Sequence, residues 1–150
     1  MDITRGTLQA SHVSTIVGID LGTTNSAIAV VEAGMPGLLA DADGHRLLPS
    51  VVHYPKNGSP ITGWSAQRQR VLDPARTVYS IKRFIGQRAA DVPEAKQQVD
   101  YTLTGNPLAV KLGEETVSPE AVSAEILKSL KTRAELVLET EITRVVITVP

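Results

Sequence analysis

The sequence predicts an α/β fold, and three stretches carry that expectation. Ile16-Val17-Gly18-Ile19-Asp20 and the run from Ser26 to Glu32 are short and β-prone, and Leu21-Gly22-Thr23-Thr24-Asn25 between them is turn chemistry. Ser118-Pro119 opens the best helical pattern, a capping serine with proline in the first turn. Val122, Ile126, Leu127, Leu130, Ala134, Val137 and Leu138 then recur at three- and four-residue steps and give that helix one apolar face. Arg144-Val145-Val146-Ile147-Thr148-Val149 is a dense β-run whose nearly continuous apolarity predicts a buried, central strand.

The remaining elements follow in order. Residues 1–15 are mixed and polar, lack the apolar centre of a secretory signal, and read as a flexible arm. Residues 37–40 suit a third strand after the turn at Gly34 to Pro36, and Asp43-Gly44 marks another turn. Pro49 to Tyr54 reads as a strand, with Asn57-Gly58 as the turn before a returning strand at Ile61 to Gly63. Trp64 to Leu72 suits a short helix closed before Asp73-Pro74, and Thr77 to Ile85 a second one stopped at Gly86. From Val92 to Gly113, repeated Pro and Gly suit a loop with short strands.

Composition narrows the function. The 150 residues are 42% hydrophobic and 21% charged, enough apolar material for a core. A net charge of −1 gives no electrostatic footprint for nucleic acid or an anionic membrane. No segment approaches the ~18 consecutive apolar residues of a membrane span. The absence of cysteine excludes disulfides and thiolate metal sites and permits the reducing cytosol, so a cytoplasmic location is expected.

The sharpest chemical feature is Asp20-Leu21-Gly22-Thr23-Thr24-Asn25-Ser26. In one reading it is a phosphate-binding hairpin. Gly22 lets the backbone approach a ligand, successive turn amides form an anion site, and the threonines add hydroxyls. Asp20, at the strand end, would hold Mg²⁺ through water. In the other reading the same residues only satisfy turn geometry, and spacing alone favours that, since short Gly-rich turns are common. Neither a Walker loop nor the dinucleotide glycine pattern is present. In Ser80-Ile81-Lys82-Arg83-Phe84-Ile85-Gly86 two adjacent cations sit in an apolar stretch, where one would reach a phosphate or else simply be solvated. Asp41, Asp43 and Gly44 echo a calcium loop without its remaining ligands, and His12, His45 and His53 lack metal-ligand spacing. Arg68, Arg70 and Arg88 read as solvated surface, and Trp64 as a local packing residue.

Taken together, four stretches in register over residues 16–150 resemble the seventy-kilodalton heat-shock protein family, the DnaK-type chaperones. Val17 to Ser26 resembles its first phosphate loop, Leu48-Pro49-Ser50-Val51-Val52 its Pro-Ser-Val segment, and Ile81 to Gly86 its Lys-Arg-Leu-Ile-Gly stretch. Val146 to Pro150 resembles the strand before its Pro-Ala-Tyr-Phe motif. Leu47 to Tyr54 looks most like the HscA branch, which assists iron–sulfur cluster assembly.

The resemblance implies an actin-like ATPase fold, of which residues 16–150 would form most of the first lobe, with a small subdomain at about 64–116. It implies ATP or ADP with Mg²⁺ as cofactors. Gly22, Thr23, Thr24 and Asn25 would bind phosphates, Asp20 would act through Mg²⁺ and its waters, and Lys82 would place the attacking water. Pro150 would relay nucleotide state. The implied partners are a J-domain co-chaperone, a nucleotide-exchange factor, and an unfolded or iron–sulfur scaffold client. The chain is expected to stop before the second phosphate loop and the adenosine pocket, and so not to catalyse alone. Two competing readings are a sugar-kinase-like phosphotransferase of the same fold and a binding domain that no longer hydrolyses.

Overall fold

The computed structural model describes residues 15–88, 91–92 and 98–148. The expected residue 1–14 part of the arm and the relay residue Pro150 lie outside the described residues.

A five-stranded mixed sheet forms the centre. Its strands are β1 (Ile16–Asp20), β2 (Asn25–Glu32), β3 (Met35–Leu38), β4 (Leu47–Pro49) and, late in the chain, β11 (Arg144–Thr148). The order is β11-β1-β2-β3, with β4 also on β2; β1 and β11 run parallel and the other pairs antiparallel. Alternation sorts the two faces, as a strand's period of two requires. Val17, Ile19, Ser26, Ile28 and Val30 point to the buried side, while Ile16, Gly18 and Asp20 point away from it.

Two smaller antiparallel sheets complete the β structure. One is β6 (Ile61–Thr62), β5 (Val51–His53) and β7 (Thr77–Tyr79). The other is β10 (Glu115–Val117), β9 (Ala109–Leu112) and β8 (Thr102–Thr104). Arg76 ties the two together: its guanidinium donates to the carbonyls of Tyr54 (2.6 Å) and Leu112 (3.1 Å).

Helix α1 (Gly63–Leu72) packs on β4, β5 and β6. Helix α2 (Pro119–Leu138) begins where the capping pattern places it, with the Ser118 hydroxyl accepting from the Ala121 amide at 3.1 Å. Its Val122, Ile126, Leu130 and Ala134 are fully buried and cover the β1–β2 face together with Ile142 and Phe84. Burial of each of Val122, Ile126 and Leu130 contributes ~1.5–3 kcal/mol. Arg133 of α2 is also buried. It donates to the His45 carbonyl (3.2 Å) and pairs with Asp41 (3.5 Å), which pins the 41–46 loop to the helix.

Two expectations are corrected. Thr77 to Ile85 is not one helix: it is β7 followed by a short 3-10 turn, Ile81–Phe84. Ser80 between them has φ 55°, a left-handed conformation that interrupts a right-handed helix. The 144–148 strand is not buried in the centre. It lies at the end of the sheet, β1 is its only strand neighbour among the described residues, and all five residues are exposed. Apolarity alone does not distinguish a strand covered by neighbours from one whose apolar face stands open.

Candidate functional site

The turn between β1 and β2 is held by two buried serines. Ser26 begins the inward face of β2, and Ser50 lies in the bend between β4 and β5. The Gly22 amide donates to the Ser26 hydroxyl (3.2 Å), and the Ser50 hydroxyl donates to the Gly22 carbonyl (2.8 Å). The two hydroxyls lie 2.9 Å apart. A hydroxyl has one proton to give, so the directions are forced. Ser50 has committed its proton to Gly22, and Ser26 therefore donates to Ser50. The result is a closed ring, from Gly22 N–H to Ser26 to Ser50 and back to the Gly22 carbonyl. The Ser50 amide also donates to the Thr24 carbonyl at 2.8 Å.

Gly22 is required here by space. A methyl group on it would collide with the backbone carbonyl of Asn25. With Gly22 and Thr24 tied from behind, the amides of Thr23 and Thr24 have no acceptor among the described residues. Thr24 and Asn25 are exposed and Thr23 is half-buried. Turn amides without an acceptor, on a backbone fixed from behind, suit an anion.

Those residues open onto a cleft of about 170 Å³ whose other wall carries Trp64, Gln67 and Arg70 of α1, with Tyr79 and Ser80. No carboxylate lines it among the described residues. The expected phosphate residues Thr23, Thr24 and Asn25 are thus together in one cleft, with Gly22 directly behind them.

Asp20 and Lys82 stand apart from that lining. Asp20 ends β1 opposite Thr148 of β11, whose hydroxyl donates to Asp20 Oδ1 at 2.8 Å. This fixes the carboxylate while Oδ2 has no partner among the described residues, an arrangement of hard oxygen donors that fits Mg²⁺ held through water. Lys82 lies half-buried in the 3-10 turn between the core residues Ile81 and Phe84 and makes no hydrogen bond or ion pair among the described residues. It is two residues beyond Ser80, which does line the cleft.

The 41–45 loop is a satisfied turn. Asp41 Oδ1 accepts from the amides of Asp43 (3.1 Å) and His45 (2.8 Å), and Oδ2 lies 3.2 Å from His45 Nδ1. Desolvation opposes ionisation of Asp41, but the His45 hydrogen bonds and the charges of His45 and Arg133 outweigh it and lower its pKa. Trp64, half-exposed, rests against His45 with ring centres 5.1 Å apart.

The residue-by-residue reading missed the Ser26–Ser50 ring and the position of Arg70. Ser50 carried a signal only as part of the Pro-Ser-Val segment. Arg70 carried none, because its ring partner Tyr79 belongs to a different element.

Comparison with known proteins places the chain in a family. The family model described as "Hsp70 protein" matches residues 16–150. "Chaperone protein dnaK" of Cyanophora paradoxa is 44% identical over 138 residues, and that of Cyanidium caldarium 44% over 140. "Chaperone protein DnaK" of Prochlorococcus marinus (strain MIT 9515) is 46% identical over 139 residues. Each alignment covers 90% of this chain but only 22% to 23% of the relative, so the chain spans under a quarter of the length of these relatives.

Proposed function

The chain belongs to the Hsp70 protein family, and from that premise we propose that it forms the N-terminal part of an ATP-dependent chaperone, supplying one wall of its nucleotide site. The fold is the family's actin-like ATPase fold, here as a mixed sheet with flanking helices. In this reading residues 16–150 make up most of the first lobe, with a small subdomain at about 64–116.

One observation carries the reading. The serine ring ties the turn from behind, and Thr23 and Thr24, whose amides have no acceptor among the described residues, line a cleft that has no carboxylate among its described residues. Gly22, Thr23, Thr24 and Asn25 bind the phosphates of ATP or ADP. Asp20, oriented by Thr148, holds the water shell of Mg²⁺, which neutralises phosphate charge when bound. Lys82 orients water and stabilises charge that develops during hydrolysis. Pro150 passes nucleotide state onward. The proposed partners are a J-domain co-chaperone, a nucleotide-exchange factor and a client protein, and the proposed location is the cytoplasm. Leu47 to Tyr54 favours the iron–sulfur assembly branch, with a scaffold protein as client.

The experiment is Lys82→Ala in the full-length protein, with single-turnover hydrolysis measured beside equilibrium ATP binding. Hydrolysis is expected to fall by ~10²–10³-fold with binding near wild type, since the contact is made chiefly in the transition state. Unchanged hydrolysis would return Lys82 to a solvated cation. Absence of hydrolysis in the wild type would leave a domain that binds without turnover.

A further inference from the structure

We propose that Arg70 is a phosphate-binding residue, taking the outer oxygens of the nucleotide's phosphate chain opposite the Thr23 and Thr24 amides. This rests on the reading of the 21–25 turn as a phosphate site, and it adds a cation that the turn itself does not contain.

Arg70 sits in the last turn of α1, with its guanidinium carbon 3.7 Å from the centre of the Tyr79 ring. That ring is itself immobilised. Its hydroxyl donates to Asp100 Oδ2 at 2.8 Å and accepts from the Asp100 amide at 3.2 Å. Tyr101 meets it edge to face with centres 5.5 Å apart, and the Tyr101 hydroxyl donates to the Tyr79 carbonyl at 2.6 Å. A guanidinium held over an aromatic face can still donate its N–H groups to an oxyanion.

Among the described residues Arg70 has no ion pair and no hydrogen bond. Asp100, the carboxylate on the same ring, is spent on the Tyr79 hydroxyl. This cation lines the same cleft as Thr23, Thr24 and Asn25. At about 170 Å³ it is well below the ~300–1,000 Å³ of pockets that enclose whole small ligands. It therefore suits a phosphoryl group, with the nucleoside outside it. Surface arginines ordinarily find a carboxylate or water. This one rests on the ring of a tyrosine that is itself held by four contacts, and it lines a cleft with no negative group among its described residues.

The test compares Arg70→Met, Arg70→Lys and Thr24→Val in the full-length protein, titrating Mg-ATP, Mg-ADP and adenosine by calorimetry. Methionine keeps packing on Tyr79 without the charge. Arg70→Met is expected to weaken both nucleotides by about 10- to 100-fold, as loss of a charge-assisted contact does, and to leave adenosine unchanged. Arg70→Lys is expected to recover part of the loss. If Arg70→Met binds nucleotides normally while Thr24→Val does not, Arg70 only packs on Tyr79 and the inference falls with the phosphate site intact. If Arg70→Met weakens adenosine equally, the role is structural and the inference also falls. If neither variant alters nucleotide binding, the phosphate reading of the turn fails, and the inference with it.

Discussion

Gly22 shows how much one residue's environment decides. The residue types of the turn were legible in the sequence, yet they fitted a plain hairpin as well as an anion site. The distinction lies in Ser50, 28 positions away, whose hydroxyl takes the Gly22 carbonyl and so completes the ring. Such closure depends on the β2–β4 register, which places Ser26 opposite Leu48 and brings the Ser50 bend onto the turn. Nothing local to either serine announces it. Ser50→Ala leaves a partly buried carbonyl without its donor, and is expected to cost ~1–3 kcal/mol in chemical denaturation. Because Ser26 and Ser50 act in one ring, the double alanine variant should cost clearly less than the sum of the two single variants. Additive losses would mean that the serines pack independently.

At the scale of elements, strong periodic signals were read well and short ones were not. Helix α2, with its serine cap and its three- and four-residue apolar steps, forms over Pro119–Leu138 as the pattern requires. The stretch after Thr77 had helical composition, but pairing of β7 with β5 claims its first three residues and the left-handed Ser80 divides it from the 3-10 turn. The link from α2 to β11 depends on Glu135. Its Oε1 accepts from Lys131 Nζ (2.6 Å) and from the Ile142 amide (3.1 Å), which fastens Ile142, shortly before the strand, to the helix end. The Lys131 hydrogen bond first, and then that of the Ile142 amide, hold the Glu135 pKa below its ordinary 4.5. A carboxylate with a depressed pKa binds its proton less readily when folded, so its contribution is present above pH 4.5 and is lost as pH falls through the lowered value. The denaturation midpoint should therefore drop on acidification below that pH. Glu135→Gln, uncharged throughout, should show a shallower acid dependence; identical slopes would exclude Glu135 as a contributor.

For the whole molecule, the sequence conveyed the β1–β2 hairpin and the long helix, because each has a local pattern. It did not convey which sheet face is covered. The face of β1, β2 and β11 turned away from α2 leaves Ile16, Val31 and Val146 exposed, with Val146 at 63%, around a hollow floored by Gly18 and Ala29. An open apolar sheet face favours association. The 150-residue chain is expected to self-associate with rising concentration in sedimentation, and Val146→Lys to shift it toward monomer; a wild-type chain that stays monomeric would show that this face is inert. The 20–26 turn is proposed as the phosphate site of an ATP-dependent chaperone. Its most direct test is calorimetric titration of Mg-ATP into the full-length protein and into Gly22→Ala, at a temperature where circular dichroism shows both folded. The methyl group forces the turn away from the Asn25 carbonyl and opens the serine ring, so affinity should fall by about 100-fold or more. Undiminished affinity in Gly22→Ala would contradict the assignment of this turn as the phosphate site.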